Sequence, residues 1–128
     1  STLHLMHVCA DPTHIDYVLR PWFKKLYACV RTARSRAKKG GYECTIDFPY
    51  IYKMCIDQHF TCAQTGLQFD LDTRSPWGPS IDQVEAGGGY TPDNIQLVCA
   101  MYNLAKSTYS DSDVALFGLA LAERYEQC

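Results

Sequence analysis

The sequence predicts an α+β fold, in which helices at both ends of the chain flank a short β-hairpin. Apolar residues recur at helical spacing within the first forty residues and again after position 110. Between these regions lie two short runs rich in β-branched residues, separated by Gly87-Gly88-Gly89. A glycine-rich segment between two such runs is typical of a hairpin turn.

The composition is that of an ordinary globular chain of one domain. It has 128 residues, of which 47% are hydrophobic and 20% charged, and these values exclude disordered, collagen-like and coiled-coil chains. The net charge of −2 excludes wholesale electrostatic attraction to nucleic acid, so any such contact must come from a local patch. The longest apolar run, Val114–Ala122, is too short to cross a bilayer, and we expect no membrane partner.

The seven cysteines indicate a reducing compartment. Their number is odd, their spacing is irregular, no two are separated by two residues, and no signal-peptide pattern begins the chain. We therefore expect a cytoplasmic protein with free and mostly buried thiols.

The N-terminal part, residues 1–41, is predicted to be helical. Pro12 and Thr13 open a helical region that Gly40-Gly41 ends, and Pro21 is expected to interrupt it and to begin a second helix. Its apolar face comprises Phe23, Leu26, Tyr27, Val30, Ala33 and Ala37.

A basic stripe lies beside that apolar face. Five of the twelve basic residues fall within positions 31–39. Such a run is most often a solvated helix face, and its concentration in an acidic chain makes contact with phosphates an equally good explanation. The candidate nucleic-acid-binding residues of this stripe are Lys24, Arg31, Arg34, Arg36, Lys38 and Lys39.

The middle part, residues 42–79, is predicted to hold one helix and a loop. Asp47 has the position of an N-cap, with Pro49 in the first turn, and the helix is expected to end near His59. An irregular loop follows over 70–79.

Residues 80–107 contain the side chains best suited to bind a metal ion. Strands are predicted over 80–84 and 95–98, a helix over 99–106, and a last helix over 114–126 within the C-terminal part, residues 110–128. Asp82 on the first strand and Asn103 on the helix offer one carboxylate and one amide oxygen, which suit a single hard cation. By spacing alone, a structural role is favoured for Asp82 at a strand end or turn, because Asp and Asn are common in turns.

This stretch resembles the HNH (His-Me finger, ββα-metal) nuclease family of phage and bacterial type. The resemblance lies in Ile81-Asp82-Gln83, in Asn94-Ile-Gln-Leu-Val-Cys99 and in Asn103-Leu-Ala-Lys106. The nine-residue step from Asn94 to Asn103, and the lysine three residues later, agree with the family. Weaker similarity extends the match over about residues 30–110.

The resemblance implies a ββα-metal finger and a divalent-metal-dependent endonuclease that hydrolyses nucleic acid phosphodiester bonds, with DNA favoured over RNA. Asp82 and Asn103 would hold one Mg²⁺ or Mn²⁺ ion. Asn94 would brace the loop between the strands through bonds to backbone groups. Lys106 and the basic stripe would face phosphates. Replacing Asp82 or Asn103 by alanine is expected to abolish cleavage without unfolding the chain.

One departure from the family pattern bears on catalysis. Gln83 stands where the family carries the histidine that acts as general base. Gln83 can orient a water but cannot take its proton, and His59 is a substitute base only if the fold brings it near. The alternative function is therefore a catalytically silent HNH-like module that binds nucleic acid or a protein partner, and a homodimer is a further possibility for either function.

A second departure bears on structural zinc. Many members of the family hold zinc with two Cys-x-x-Cys pairs. Here Cys62 and Cys99 are the first cysteines of such pairs, but Thr65 and Tyr102 replace the second ones. Two thiolates are too few for a closed tetrahedral site. We expect no structural zinc, and we expect the two thiols to lie close together in the core.

Overall fold

The computed structural model describes residues 12–72 and 74–126, with side chains from Val18 onward. Within these residues the chain forms α1 (Pro12–Gly40), α2 (Phe48–Asp57), β1 (Pro79–Gln83), β2 (Ile95–Cys99), α3 (Ala100–Lys106) and α4 (Asp111–Glu126). The fold is therefore α+β, as predicted, with a two-stranded antiparallel sheet between helices. None of the described helices combines the length and the apolar character needed to span a membrane.

Helix α1 continues through Pro21, so the prediction of two separate helices was wrong. A proline inside a helix removes one backbone hydrogen bond and costs about 3 kcal/mol. Packing on both sides of Pro21 offsets this cost, because Leu19 before it and Trp22 and Leu26 after it are buried in one core. The Trp22 ring meets the Phe60 ring edge-on at a centroid distance of 4.8 Å.

Helix α2 begins as its sequence predicts. The Asp47 side chain accepts a hydrogen bond from the backbone N–H of Tyr50, and Pro49 lies in the first turn, where its missing N–H costs nothing. At the other end, the Gln58 side chain donates to the Leu97 carbonyl oxygen at 2.9 Å. This bond joins the end of α2 to β2.

The hairpin pairs β1 with β2 so that Asp82 lies opposite Gln96 and Ser80 opposite Val98. Its connection contains Gly87 and Gly89, both with positive φ, as expected for a tight glycine turn. The short helix α3 follows β2 without a loop and packs against both strands. The hairpin and α3 thus form one unit, supported by α1 and α2.

The core lies between α1, α2 and the hairpin. Its fully buried side chains include Leu26, Ile51, Cys55, Leu97 and Val98. The described cysteines are free, and four of them are buried, as predicted. Cys9 and Cys128 lie outside the described residues.

Candidate functional site

The loop between the two strands is held by Asn94. Its side chain accepts a hydrogen bond from the Glu85 backbone N–H at 3.0 Å and donates to the carbonyl oxygens of Glu85 at 3.1 Å and Gly89 at 2.9 Å. A Cβ atom at Gly88 would lie only 2.7 Å from the Asn94 amide nitrogen, so the loop closes tightly around this side chain. Asn94 therefore braces the loop through backbone groups, as the family resemblance implies.

Gln83 belongs to the same loop structure. Its side-chain oxygen accepts hydrogen bonds from the backbone N–H groups of Gly87 at 3.0 Å and Gly89 at 3.1 Å. The oxygen that was expected to orient a water is thus engaged with the glycine turn. In this conformation Gln83 shapes the loop.

The centre of the site is a buried ion pair between Asp82 and Lys106. The Lys106 ammonium lies 2.8 Å from the Asp82 carboxylate, and the two side chains are 1% and 4% exposed. The ammonium also donates to the carbonyl oxygens of Gln83 at 2.8 Å and Val84 at 3.0 Å, which occupies its three protons. The expectation that Lys106 faces phosphates was therefore wrong: its terminal nitrogen is enclosed, because a buried charge requires nearby partners.

The ion pair extends into a wider polar network. Gln96, opposite Asp82 in the hairpin, donates to the same carboxylate oxygen at 2.8 Å. Asp111 at the start of α4 lies 3.5 Å from the Lys106 ammonium and accepts a short hydrogen bond from the Tyr102 hydroxyl. Burial and the hydrogen bond to Asp111 raise the pKa of Tyr102 above its usual value of 10.0.

Asn103 lies on the side of α3 that faces β1. Its amide nitrogen donates to the Ser80 hydroxyl at 2.7 Å and weakly to the Ile81 carbonyl oxygen at 3.4 Å. These bonds fix the amide orientation across β1. Asn103 then borders a hollow of about 190 Å³, whose wall also includes Asp82, Gln83, Tyr42 and Ser107.

The two predicted metal ligands therefore border one hollow. Asp82 offers one carboxylate and Asn103 one amide oxygen, whereas no cluster of three or more His, Cys, Asp or Glu side chains suited to a metal occurs among the described residues. Mg²⁺ accepts so few protein ligands when waters or phosphate oxygens complete its shell. The donor set fits such a loosely held ion, although the Lys106 ammonium already neutralises much of the Asp82 charge.

A cationic groove adjoins this hollow. Arg36 and Asn103 line one hollow together with Ser80, and Arg36 with Lys25 lines a second one between α1 and β1. Lys25 was not among the predicted phosphate-binding residues, although its spacing of eleven residues from Arg36 places both on one side of α1. Arg36 therefore borders a groove beside β1, unlike the other residues of the basic stripe.

The other candidates of the stripe are exposed on α1 and none of them borders these hollows. On a helix of 3.6 residues per turn, Lys24, Arg31 and Lys38 share a face roughly opposite the side that carries Lys25 and Arg36. Arg34 lies at the edge of that face, whereas Lys39 lies between it and the side that carries Lys25 and Arg36. The stripe is consequently divided between the groove side and the outer side of α1.

His59 does not border any of the hollows around Asn103. It lies in the turn after α2, exposed, with a positive φ of 57°. The described lining of these hollows contains no histidine at all.

Cys62 and Cys99 are both buried and lie close enough in the core to affect each other's ionisation, as predicted. Burial raises the pKa of Cys99. Burial opposes ionisation of Cys62 as well, but hydrogen bonds from the Thr65 hydroxyl and from backbone groups lower its pKa.

Comparison with family models, with curated proteins and with solved structures finds no match to this chain. The geometry of the hairpin, of α3 and of the groove beside α1 is therefore what indicates a function.

Proposed function

We propose that this protein is a divalent-metal-dependent endonuclease of the HNH type, whose ββα-metal finger is the hairpin together with α3. One observation carries the proposal: Asp82 and Asn103, the two metal ligands implied by the sequence resemblance, border the same hollow. A strand carboxylate and a helix amide that converge in this way offer a cation the few oxygen ligands that Mg²⁺ or Mn²⁺ needs.

In the proposed site, Asp82 and Asn103 hold the ion. A bound divalent ion would offset the negative charge that develops on the phosphate and on the leaving oxygen. Lys106 and Gln96 fix the position of the Asp82 carboxylate, and Ser80 fixes that of the Asn103 amide. These residues hold the ligands in place before substrate arrives.

The substrate phosphates would lie in the cationic groove. Arg36 borders the hollow that Asn103 also borders, so its guanidinium can bind phosphate oxygens beside the ion. Lys25 continues the positive charge along the groove. Phosphate oxygens in duplex DNA repeat along the backbone, and the outer basic residues of α1 add weaker contacts of the same kind.

The first test is nicking of supercoiled plasmid in Mg²⁺, in Mn²⁺ and in EDTA. We expect metal-dependent nicking that Asn103→Ala reduces by about 100-fold or more, because the variant loses one of two protein ligands. Asp93→Ala, an exposed change in the same unit, is the matched control and should nick at the wild-type rate. Equal nicking by Asn103→Ala and wild type would overturn the proposal.

Asp82→Ala is not an equivalent test, contrary to the expectation from sequence. Removing the carboxylate leaves the Lys106 ammonium buried without its counter-ion, and such a change destabilises proteins by about 3–5 kcal/mol. Loss of nicking in that variant would not separate metal binding from unfolding. Asn103 is partly buried and bears no charge, so its substitution avoids this ambiguity.

A second candidate function is a catalytically silent module that binds nucleic acid. The observation that favours it is the pairing of Asp82 with Lys106, which lowers the attraction of the site for a cation. It is tested by DNA binding without metal: affinity should fall steeply with salt and should be reduced by Arg36→Gln. Wild-type binding without nicking in either metal would support the silent module, and absence of both would contradict both functions.

A further inference from the structure

Tyr42 is an exposed aromatic residue on the wall of the hollow that Asp82 and Asn103 border. It is 41% exposed, whereas Tyr90, the other aromatic residue of that wall, is 4% exposed. The proposed function assigns the ion to Asp82 and Asn103 and the phosphates to the cationic groove, and it leaves Tyr42 without a role. An exposed ring beside two metal ligands is placed to contact whatever enters the hollow.

The end of α1 fixes the backbone of Tyr42. Gly41 follows the helix with a positive φ of 72°, a conformation that glycine adopts without strain. The Tyr42 backbone N–H then donates to the Ala37 carbonyl oxygen at 2.9 Å. A bond of this span after a left-handed glycine forms the Schellman cap of a helix. Tyr42 is therefore part of the cap of α1, and its backbone has little freedom to move.

Gly40 fixes the ring of Tyr42. A Cβ atom at Gly40 would lie 2.5 Å, 2.8 Å and 3.0 Å from three carbon atoms of that ring. The ring thus packs directly on the Gly40 backbone, in space that the side chain of any other residue would fill. The absence of a side chain at position 40 is what allows Tyr42 to take this position.

The segment that follows Tyr42 is joined to the loop of the hairpin. The Tyr90 backbone N–H donates to the Glu43 carbonyl oxygen at 2.8 Å, and the Thr45 backbone N–H donates to the Tyr90 carbonyl oxygen at 3.0 Å. These bonds connect the chain on the C-terminal side of Tyr42 to the loop that Asn94 braces. Tyr42 is therefore held from both sides, by the cap of α1 and by the hairpin.

The hollow beside Tyr42 continues into the cationic groove. Asn103 and Ser107 border both this hollow and the next one, which Arg36 also lines. Arg36 in turn borders a third hollow together with Lys25. An aromatic ring therefore lies at one end of a row of cationic side chains. Proteins bind single-stranded nucleic acid with this combination, because the cations follow the phosphates while the ring stacks on a base.

We propose that Tyr42 stacks on an unpaired base of a DNA strand whose phosphates run along the groove past Arg36. This inference rests on the proposed function, because it takes the ligand of the groove to be nucleic acid, and it adds the class of substrate. In a duplex, neighbouring bases cover both faces of each base, so a ring can stack only on a base that has left the duplex. The preferred substrate is therefore a single strand or a locally opened duplex.

The experiment is fluorescence anisotropy of a labelled oligothymidylate of about 12 nucleotides, titrated with the full chain in EDTA at low salt. A duplex of the same length is measured in parallel. Tyr42→Ala should weaken binding to the single strand by about 10-fold or more, because one stacked base is lost, and should leave duplex binding unchanged. Tyr42→Phe keeps the ring and should bind the single strand within about 2-fold of wild type.

The matched control is Tyr125→Ala, which removes an exposed tyrosine that borders none of the three hollows. It should bind both oligonucleotides as wild type does.

A further variant moves the ring without removing it. Gly40→Ala places a methyl group where the Tyr42 ring lies, so the ring should be displaced and binding to the single strand should weaken. The atoms in the way belong to the end of a side chain that can turn, and alanine is the best helix former, so the variant should fold. Far-UV circular dichroism spectra like those of wild type would verify this.

Binding to the single strand that is unchanged in Tyr42→Ala or in Gly40→Ala overturns the proposal, and so does a wild-type chain that binds no single strand. An equal loss of single-strand and duplex binding in Tyr42→Ala would also overturn it, because the ring would then have a purely structural role. The measurement needs neither metal nor cleavage. A chain that binds single strands through Tyr42 but does not nick plasmid would therefore contradict the nuclease function and support this inference.

Discussion

The hairpin with α3 and the C-terminal helix α4 are neighbours in sequence but are stabilised in opposite ways. The hairpin unit buries Ile81, Leu97 and Val98 together with the Asp82–Lys106 pair, whereas α4 buries none of its residues. Side chains of the hairpin unit are fixed by partners within the chain. The stability of α4 depends instead on its cap and on what packs against the helix. The difference separates a unit whose side chains are buried together from a helix whose apolar side chains are exposed.

The largest expected difference between the two regions comes from breaking the ion pair. Lys106→Met should reduce the free energy of unfolding by about 3–5 kcal/mol, because Asp82 is left buried without its counter-charge. Leu116→Ala on α4 should change it by less than about 0.5 kcal/mol. Urea denaturation at low protein concentration measures both.

A double variant serves as the control for this prediction. Replacing both charges, in Lys106→Met/Asp82→Asn, should recover much of the lost stability, since no unpaired charge remains. If the double variant is no more stable than Lys106→Met, the loss comes from packing around the lysine stem and the pair has a different role.

The second prediction concerns the loop of the hairpin. Asn94→Ala removes three hydrogen bonds to backbone groups and should cost about 1–3 kcal/mol of unfolding free energy. Asp93→Ala in the same turn is exposed and should change stability by less than about 0.5 kcal/mol. Similar thermal denaturation midpoints for the two variants would show that Asn94 does not brace the loop.

Matched glycine substitutions should act in opposite directions in the two regions. At Gly89, φ is +91° and an added Cβ would lie 3.1 Å from the Glu43 carbonyl oxygen, so Gly89→Ala should destabilise by about 1 kcal/mol or more. At Gly118 the added Cβ meets open space, so Gly118→Ala should stabilise α4 by about 0.5–1 kcal/mol. Thermal melting tests the first change, and far-UV circular dichroism tests the second. A loss of helix in Gly118→Ala would contradict this account.

The smallest expected effect lies at the junction between the two regions, where Tyr102 donates to Asp111. The folded chain raises the pKa of Tyr102 above 10.0, so unfolding lets the phenol release its proton more readily at alkaline pH. The contribution of Tyr102 to stability should therefore be fully present below pH 10 and should be lost as the pH rises beyond it. In Tyr102→Phe the decline should be shallower, although buried Cys55, with its pKa raised to about 12, still contributes.

Unfolding free energies measured across the alkaline range would test this junction. If the unfolding free energies of wild type and Tyr102→Phe fall in parallel as the pH rises, the Tyr102 phenol does not couple the two regions.

The sequence by itself determined those features that depend on local chemistry. Asp47 followed by Pro49 predicted the start of α2, and Gly87-Gly88-Gly89 predicted the hairpin turn, because caps and tight turns are set by the conformational preferences of a few adjacent residues. The bracing role of Asn94 was implied by the family resemblance, and its partners lie within nine residues of it. The convergence of Asp82 and Asn103 was an expectation from the family resemblance, and the chain brings both residues to one hollow.

Tertiary structure decided the features that depend on which groups are buried together. The sequence around Lys106 is the same whether its side chain faces phosphate or Asp82. Only the packing of α3 on the hairpin selects the carboxylate. Packing on both sides likewise overrides the helix-breaking tendency of Pro21. The grouping of Arg36 with Lys25 in one groove depends on where β1 lies against α1, since burial and charge pairing are properties of the assembled fold.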